Sequence, residues 1–170
     1  VPQERGARLQ VQHLATRGLH RLGYAASPDP RVARFAVPRQ RAAAEECVDL
    51  GLDAIDVRVV PEEMAGARLL LHEWLDRGVT GVCAYNDEIA LQLLAAAKAE
   101  GIRVPDDLAI VGMDDIPDAS WSDPGLTTVG FDHEGIADVF ASQLVAEVIG
   151  EGVPLRMDSS TVNLVVRGTA

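Results

Sequence analysis

Three polar residues of different chemistry, Arg39, Asn86 and Asp114, each stand just beyond an apolar run of the chain. Arg39 opens a helical stretch after Leu22–Ala26, with Asp29, Arg31 and Arg34 in between. Asn86, followed by Asp87, comes after Thr80–Tyr85, and Asp114, followed by Asp115, comes after Leu108–Val111. A guanidinium is a fork of donors, a carboxamide donates and accepts, and a carboxylate accepts. This set suits a neutral polyhydroxylated ligand, because adjacent hydroxyls donate to Asp and accept from Arg or Asn. A hydrogen bond to a charged group contributes roughly 1.5–3 kcal/mol, so three such groups suffice for a small sugar or nucleoside. Taken singly, each residue has a plainer reading: Asn86 as a helix cap, Asp114 as a turn residue, Arg39 as a solvated helix charge. Their joint placement is what favours a site.

Other chemistries find less support. Asp114 and Asp115 are adjacent in a strand-to-loop turn, where neighbours point apart, whereas general acid/base pairs need facing carboxylates. His13, His20, His72 and His133 are scattered, and no two are spaced i, i+4 as metal-binding helices require. Neither GxGxxG nor GxxxxGK[ST] occurs, and Ser27, Ser120 and Ser122 lack a nucleophile elbow. Cys83 lies in an apolar strand and Cys47 on a helix, and both read as small core residues rather than reactive thiols. The expectation is a non-enzyme with no cofactor and no metal.

The elements that must position these residues alternate regularly. Ala7, Val11 and Leu14 make a helical stripe ended by Gly18. Leu22–Ala26 reads as a buried strand, and Pro28 and Pro30 mark the loop after it. A helix is predicted from about Pro38, which suits a first turn, to Leu50, with Gly51 as C-cap. Ile55–Val60 reads as a strand, Pro61–Asp76 as a helix ended by Gly78, and Thr80–Tyr85 as a strand. Asn86 and Asp87 form an N-cap pair for a helix reaching Glu100, with Gly101 after it. Leu108–Val111 and Leu126–Val129 are short strands separated by a long polar loop, Gly112–Pro124. Asp132–Ile149 is a helix with a stripe of Ile136, Val139, Phe140, Leu144 and Val148, and Val162–Val166 closes as a strand. Such alternation implies an α/β fold, a mostly parallel sheet flanked by helices. Ligands of such sheets bind beyond the carboxyl ends of the strands, which is where Arg39, Asn86 and Asp114 should converge.

The chain has 170 residues, enough for one domain. Its 15 Lys plus Arg against 26 Asp plus Glu give a formal net charge of −11. That balance argues against this segment gripping a phosphate backbone, which needs clustered cations. No apolar run approaches the ~18–20 residues of a membrane span, and no signal-like segment opens the chain. A cytoplasmic setting is expected.

Five segments, in order, resemble the LacI/GalR (lactose-repressor) family of bacterial transcriptional regulators. Ala84-Tyr85-Asn86-Asp87-Glu88-Ile89-Ala90 is similar to its A-x-N-D-x-x-A element, and Gly101-Ile102-Arg103-Val104-Pro105-Asp106-Asp107-Leu108 to G-x-x-V-P-x-D-[VIL]. Val111-Gly112-Met113-Asp114-Asp115-Ile116 resembles V-G-F-D-D-[IT], Pro124-Gly125-Leu126-Thr127-Thr128-Val129 resembles P-x-L-T-T-[VI], and Leu164-Val165-Val166-Arg167 resembles the closing L-V-x-R. The resemblance implies an effector-binding domain of the periplasmic-binding-protein type (type I), incomplete here, spanning residues 1–170. Residues of about 5–129 would form the C-terminal lobe, and about 130–160 the segment that crosses to the N-terminal lobe. The DNA-binding headpiece would be absent, so DNA would be reached only through that missing part. It further implies a homodimer, with the helix from Glu88 to Glu100 and the loop around Trp121 facing the interface, and a sugar-like small-molecule effector. Arg39, Asn86 and Asp114 fall on the family's effector-contacting positions; Phe131 and His133 fall where the cleft is lined. The family often has an aspartate near the start of the first helix, where this chain has Gln3-Glu4-Arg5. A periplasmic sugar-binding receptor of a transporter shares the fold and is the alternative. The stripe of Ile136, Phe140 and Leu144 would lack its usual lobe, and is expected to dock on this lobe or on a second copy.

Overall fold

The computed structural model describes residues 2–148 and 161–170. The elements run α1 (Pro2–Thr16), β1 (Leu22–Ala26), α2 (Ala33–Asp49), β2 (Asp56–Val59), α3 (Met64–Asp76), β3 (Gly81–Ala84), α4 (Asp87–Glu100), β4 (Ala109–Met113), α5 (Pro117–Trp121), β5 (Thr127–Phe131), α6 (His133–Val148) and β6 (Val162–Val165). Six strands form one sheet in the order β2-β1-β3-β4-β5-β6. The first five pair in parallel, and β6 runs antiparallel to β5. The chain leaves β1 toward β2 on one side, then returns to place β3 on the other. The order therefore reverses between β1 and β3, the place where open α/β sheets hold ligands.

Parallel strands covered on both faces should be apolar throughout, and β1, β3 and β4 are buried at every residue. Helices α1 and α2 pack together on one face, α3 and α4 on the other. Ala7, Val11 and Leu14 are fully buried, as their spacing predicts, and so is Trp74 of α3, which lies over Gly23 of β1. A Cβ at Gly23 would come within 3.0 Å of the indole, so glycine there lets the ring lie flat on the strand.

Among the differences from the predicted elements, two bear most on the site. Helix α2 begins at Ala33, not Pro38, and Pro38 lies inside it. The cause is local. Asp29 accepts the Arg31 N–H and caps a 3-10 turn at Pro30–Val32, which sets the chain into helical dihedrals five residues early. Pro38 removes one backbone donor near the exposed start of the helix, where solvent serves the orphaned carbonyl. The long polar loop Gly112–Pro124 contains a helix, α5, started by Pro117 at its first position. In α6, Leu144, Val145 and Val148 are exposed, so at those residues the expected docking on this lobe does not occur. The side chains of Ile136 and Phe140 lie outside the described residues.

One polar tie joins the layers. Asp87, fully buried at the first turn of α4, accepts the Thr128 hydroxyl at 2.5 Å and the Ile116 N–H at 2.9 Å. Its Oδ1 occupies the space that a Cβ on Gly112 would need. Gly112→Ala is therefore expected to cost roughly 1–3 kcal/mol by overpacking, read as a fall of about 3–10 °C in melting temperature. An unchanged melting temperature would refute the Asp87 contact.

Candidate functional site

Arg39 projects from α2 and is buried, with its side chain only 5% exposed. Three of its nitrogens are engaged. Nε donates to Gln3 Oε1 of α1 at 2.5 Å, Nη1 to the Tyr85 carbonyl at 2.6 Å, and Nη2 to Asp114 Oδ1 at 2.9 Å. Aromatic rings flank the guanidinium: Tyr85 lies 4.8 Å from its carbon and Phe131, at the end of β5, 5.8 Å. A buried cation needs compensation of this kind, since an ion without a partner costs several kcal/mol. Burial raises the Tyr85 phenol above its ordinary range, with Arg39 opposing the shift.

Asp114 reaches Arg39 because of its backbone. Its φ is 107° and that of Asp115 is 49°, both in the left-handed region. Aspartate tolerates that region better than most residues, yet a φ so far from the favoured well stores roughly 1–3 kcal/mol. The turn sends the two neighbouring carboxylates apart, as adjacency predicts. Asp114 turns to Arg39, and Asp115 to Arg167 at 2.8 Å beyond β6. They do not form an acid/base pair.

Asn86 stands beside this cluster rather than in it. Its Oδ1 accepts the Ile89 N–H and caps α4, while its Nδ2 reaches Glu88 at 3.4 Å. It lines an open cavity of about 250 Å3 with Ser27, Asp29, Tyr85, Glu88 and Gln92, at the switch point between β1 and β3. Tyr85 joins the cavity to the arginine cluster, so the three residues picked from sequence share one edge of the sheet. His133 begins α6, and its side chain lies outside the described residues.

Three participants were not singled out: Tyr85, Gln3 as the third partner of Arg39, and buried Asp87. Each carried a faint signal, Tyr85 as the lone aromatic between strand and cap, and Asp87 as a carboxylate one residue inside a helix. The two cysteines are buried, as expected. Burial pushes Cys47 up to about 11 and Cys83 well above the ordinary thiol range, so neither is a thiolate near neutrality. Among the described residues, no group of His, Cys, Asp or Glu is placed to hold a metal, and no helix is long and apolar enough to cross a membrane.

Fold and site together define an α/β binding domain whose polar edge lies at the sheet's switch point. Residues 11–170 match the family described as periplasmic binding protein-like domain. An uncharacterized HTH-type transcriptional regulator of Streptomyces limosus is 32% identical over 176 residues, covering 99% of this chain and 49% of that protein. The lactose complex of a LacI family transcriptional regulator from Arthrobacter sp. FB24 superposes with a TM-score of 0.74 at 26% identity, covering 98% of this chain and 64% of that one. A lac repressor dimer bound to operator and the anti-inducer ONPF gives 0.81 at 27% identity, covering 98% and 58%. The chain thus spans about half the length of the curated relatives it matches. It belongs to the periplasmic-binding-protein-like domain family, in the LacI/GalR regulator branch.

Asp87 gives a pH test. Burial raises its carboxyl above the ordinary value of 3.8, against the opposing hydrogen bonds from Thr128 and Ile116. The folded state then holds this proton to higher pH than the unfolded chain, so the group subtracts stability as pH rises through that window. The stability of the chain relative to Asp87→Asn, from urea midpoints, should fall as pH rises above the ordinary carboxylate value of 3.8. A constant difference would show that the carboxylate is not desolvated.

Proposed function

We propose that this chain is the effector-sensing part of a sugar-responsive bacterial transcriptional regulator. The observation that supports it most is the placement of Arg39 against Asp114 and Tyr85, beside the Asn86-lined cavity, at the edge where such sheets hold ligands. Ligand hydroxyls donate to Asp114 and accept from Arg39 or Asn86, and the Tyr85 and Phe131 rings give a sugar's C–H face an apolar wall. His133 completes the proposed set from the segment that crosses between lobes. The Arg39–Asp114 pair cancels its own charge and the cavity beside it is lined by Asp29, Glu62 and Glu88, which disfavours an anion and leaves a neutral polyol.

The working protein is a homodimer in this reading, meeting through α4 and the 76%-exposed Trp121, since exposed aromatics anchor interfaces. It works in the cytoplasm, where its DNA is. DNA contact falls to a headpiece outside these residues, because a net charge of −11 repels phosphate. Effector binding favours one arrangement of the lobes, and a differential of ~1–3 kcal/mol changes DNA affinity 5–150-fold. Catalysis has no part in this.

A thermal-shift screen of the full-length protein against mono- and disaccharides, sugar phosphates and nucleosides tests the reading. A neutral sugar should raise the melting temperature, and Asp114→Ala should abolish that rise. A best hit among nucleosides, or a shift that survives in Asp114→Ala, would contradict it.

A further inference from the structure

Strands β3 and β4 pair from Gly81 with Ala109 to Cys83 with Val111, and their ladder stops there. Gln10 of α1 reaches the point where the strands part. It is fully buried, and its Nε2 lies 2.9 Å from the Ala84 carbonyl, 3.1 Å from that of Val111 and 2.8 Å from that of Gly112. One residue beyond Ala84 is Tyr85, and two beyond Gly112 is Asp114. These are the two groups that Arg39 spans with Nη1 and Nη2. The amide therefore ties the fork at its base, and the guanidinium ties it at its mouth.

A buried amide is an expensive choice in the apolar stripe of Ala7, Val11 and Leu14, where an aliphatic side chain would pack without desolvation cost. Its chemistry fits the place. Three carbonyl oxygens crowd together where the ladder ends, and a neutral –NH2 is a donor for them; a carboxylate there would be repelled. The satisfied half of the amide is its Nε2, whose two N–H groups serve the three carbonyls, while Oε1 is buried with no hydrogen-bond partner among the described residues. The donations are what fix the geometry here.

We propose that Gln10 is a positioning residue of the effector site, setting the separation of the Tyr85 and Asp114 arms and hence the posture of Arg39, without touching the effector. The significance for binding rests on the reading of that edge as a sugar site; the test needs no ligand, so the two can fail separately. In 1H–15N spectra of the chain, the Arg39 Nε–H resonance is assigned by its loss in Arg39→Lys, and its exchange with solvent is measured. Gln10→Met, similar in volume but unable to donate, should speed that exchange by roughly tenfold or more. Val11→Ala, a cavity on the same helix, should lower thermal stability yet leave the exchange unchanged. Gln10→Asn, whose amide falls one methylene short, should lie between and serves as the reading if Gln10→Met does not fold. Unchanged exchange in the Gln10 variants, or equal acceleration in Val11→Ala, would overturn the proposal.

Discussion

A buried guanidinium sets the terms for this molecule. Arg39 sits almost wholly out of water on the inner face of α2, and an arginine cannot escape by losing its proton. Every group that compensates it must therefore be held in place by the fold: Asp114 after β4, the Tyr85 carbonyl after β3, Gln3 on α1, and the rings of Tyr85 and Phe131. Four elements are thereby drawn to one point beyond the sheet's carboxyl edge. The same arrangement leaves Asp114 with a side chain 36% exposed, so the cluster is closed on the protein side and open on the other.

The turn after β4 carries the strain that this requires. Two successive aspartates adopt left-handed backbone, one serving Arg39 and the other Arg167. Arg167 also donates to the Leu126 carbonyl, and beyond it the hydroxyl of buried Thr169 accepts from the Thr127 N–H and donates to the Ile110 carbonyl. The final residues are thus sewn across β4 and β5, supporting the turn from behind. Asp87 supports it from the side, through Thr128 and the Ile116 N–H. Strain at a site persists only where the surroundings over-determine it, and here three independent ties do so.

Much of this was legible in the chain. Gly18, Gly51, Gly78 and Gly101 end helices with φ between 67° and 79°, because only glycine takes that region without cost. Apolar runs without alternation gave parallel strands, and the residues after them gave the edge where Arg39, Asn86 and Asp114 gather. What escaped was set partly by local caps and partly by non-local geometry. Pro38 reads as a helix start, but a cap at Asp29 had already begun the turn. Asn86 reads both as a helix cap and as a ligand group; its Oδ1 caps α4, and the residue lines the cavity beside the Arg39 cluster. Gln10 reads as one polar residue in a helix; its meaning depends on where β3 and β4 diverge, which no local pattern encodes. The apolar face of α6, with Leu144 and Val148 exposed, was visible as a stripe without a partner and remains so at those residues.

The central claim is that Arg39 and Asp114 are energetically coupled across the mouth of the fork. A double-mutant cycle reads this directly: urea unfolding of the chain, Arg39→Met, Asp114→Asn and the double variant. A coupling energy of about 1 kcal/mol or more is expected for contacting charged groups in a partly buried setting. Additive effects, with coupling within about 0.3 kcal/mol of zero, would show that the two side chains do not hold each other, and the account of the site would fall with them.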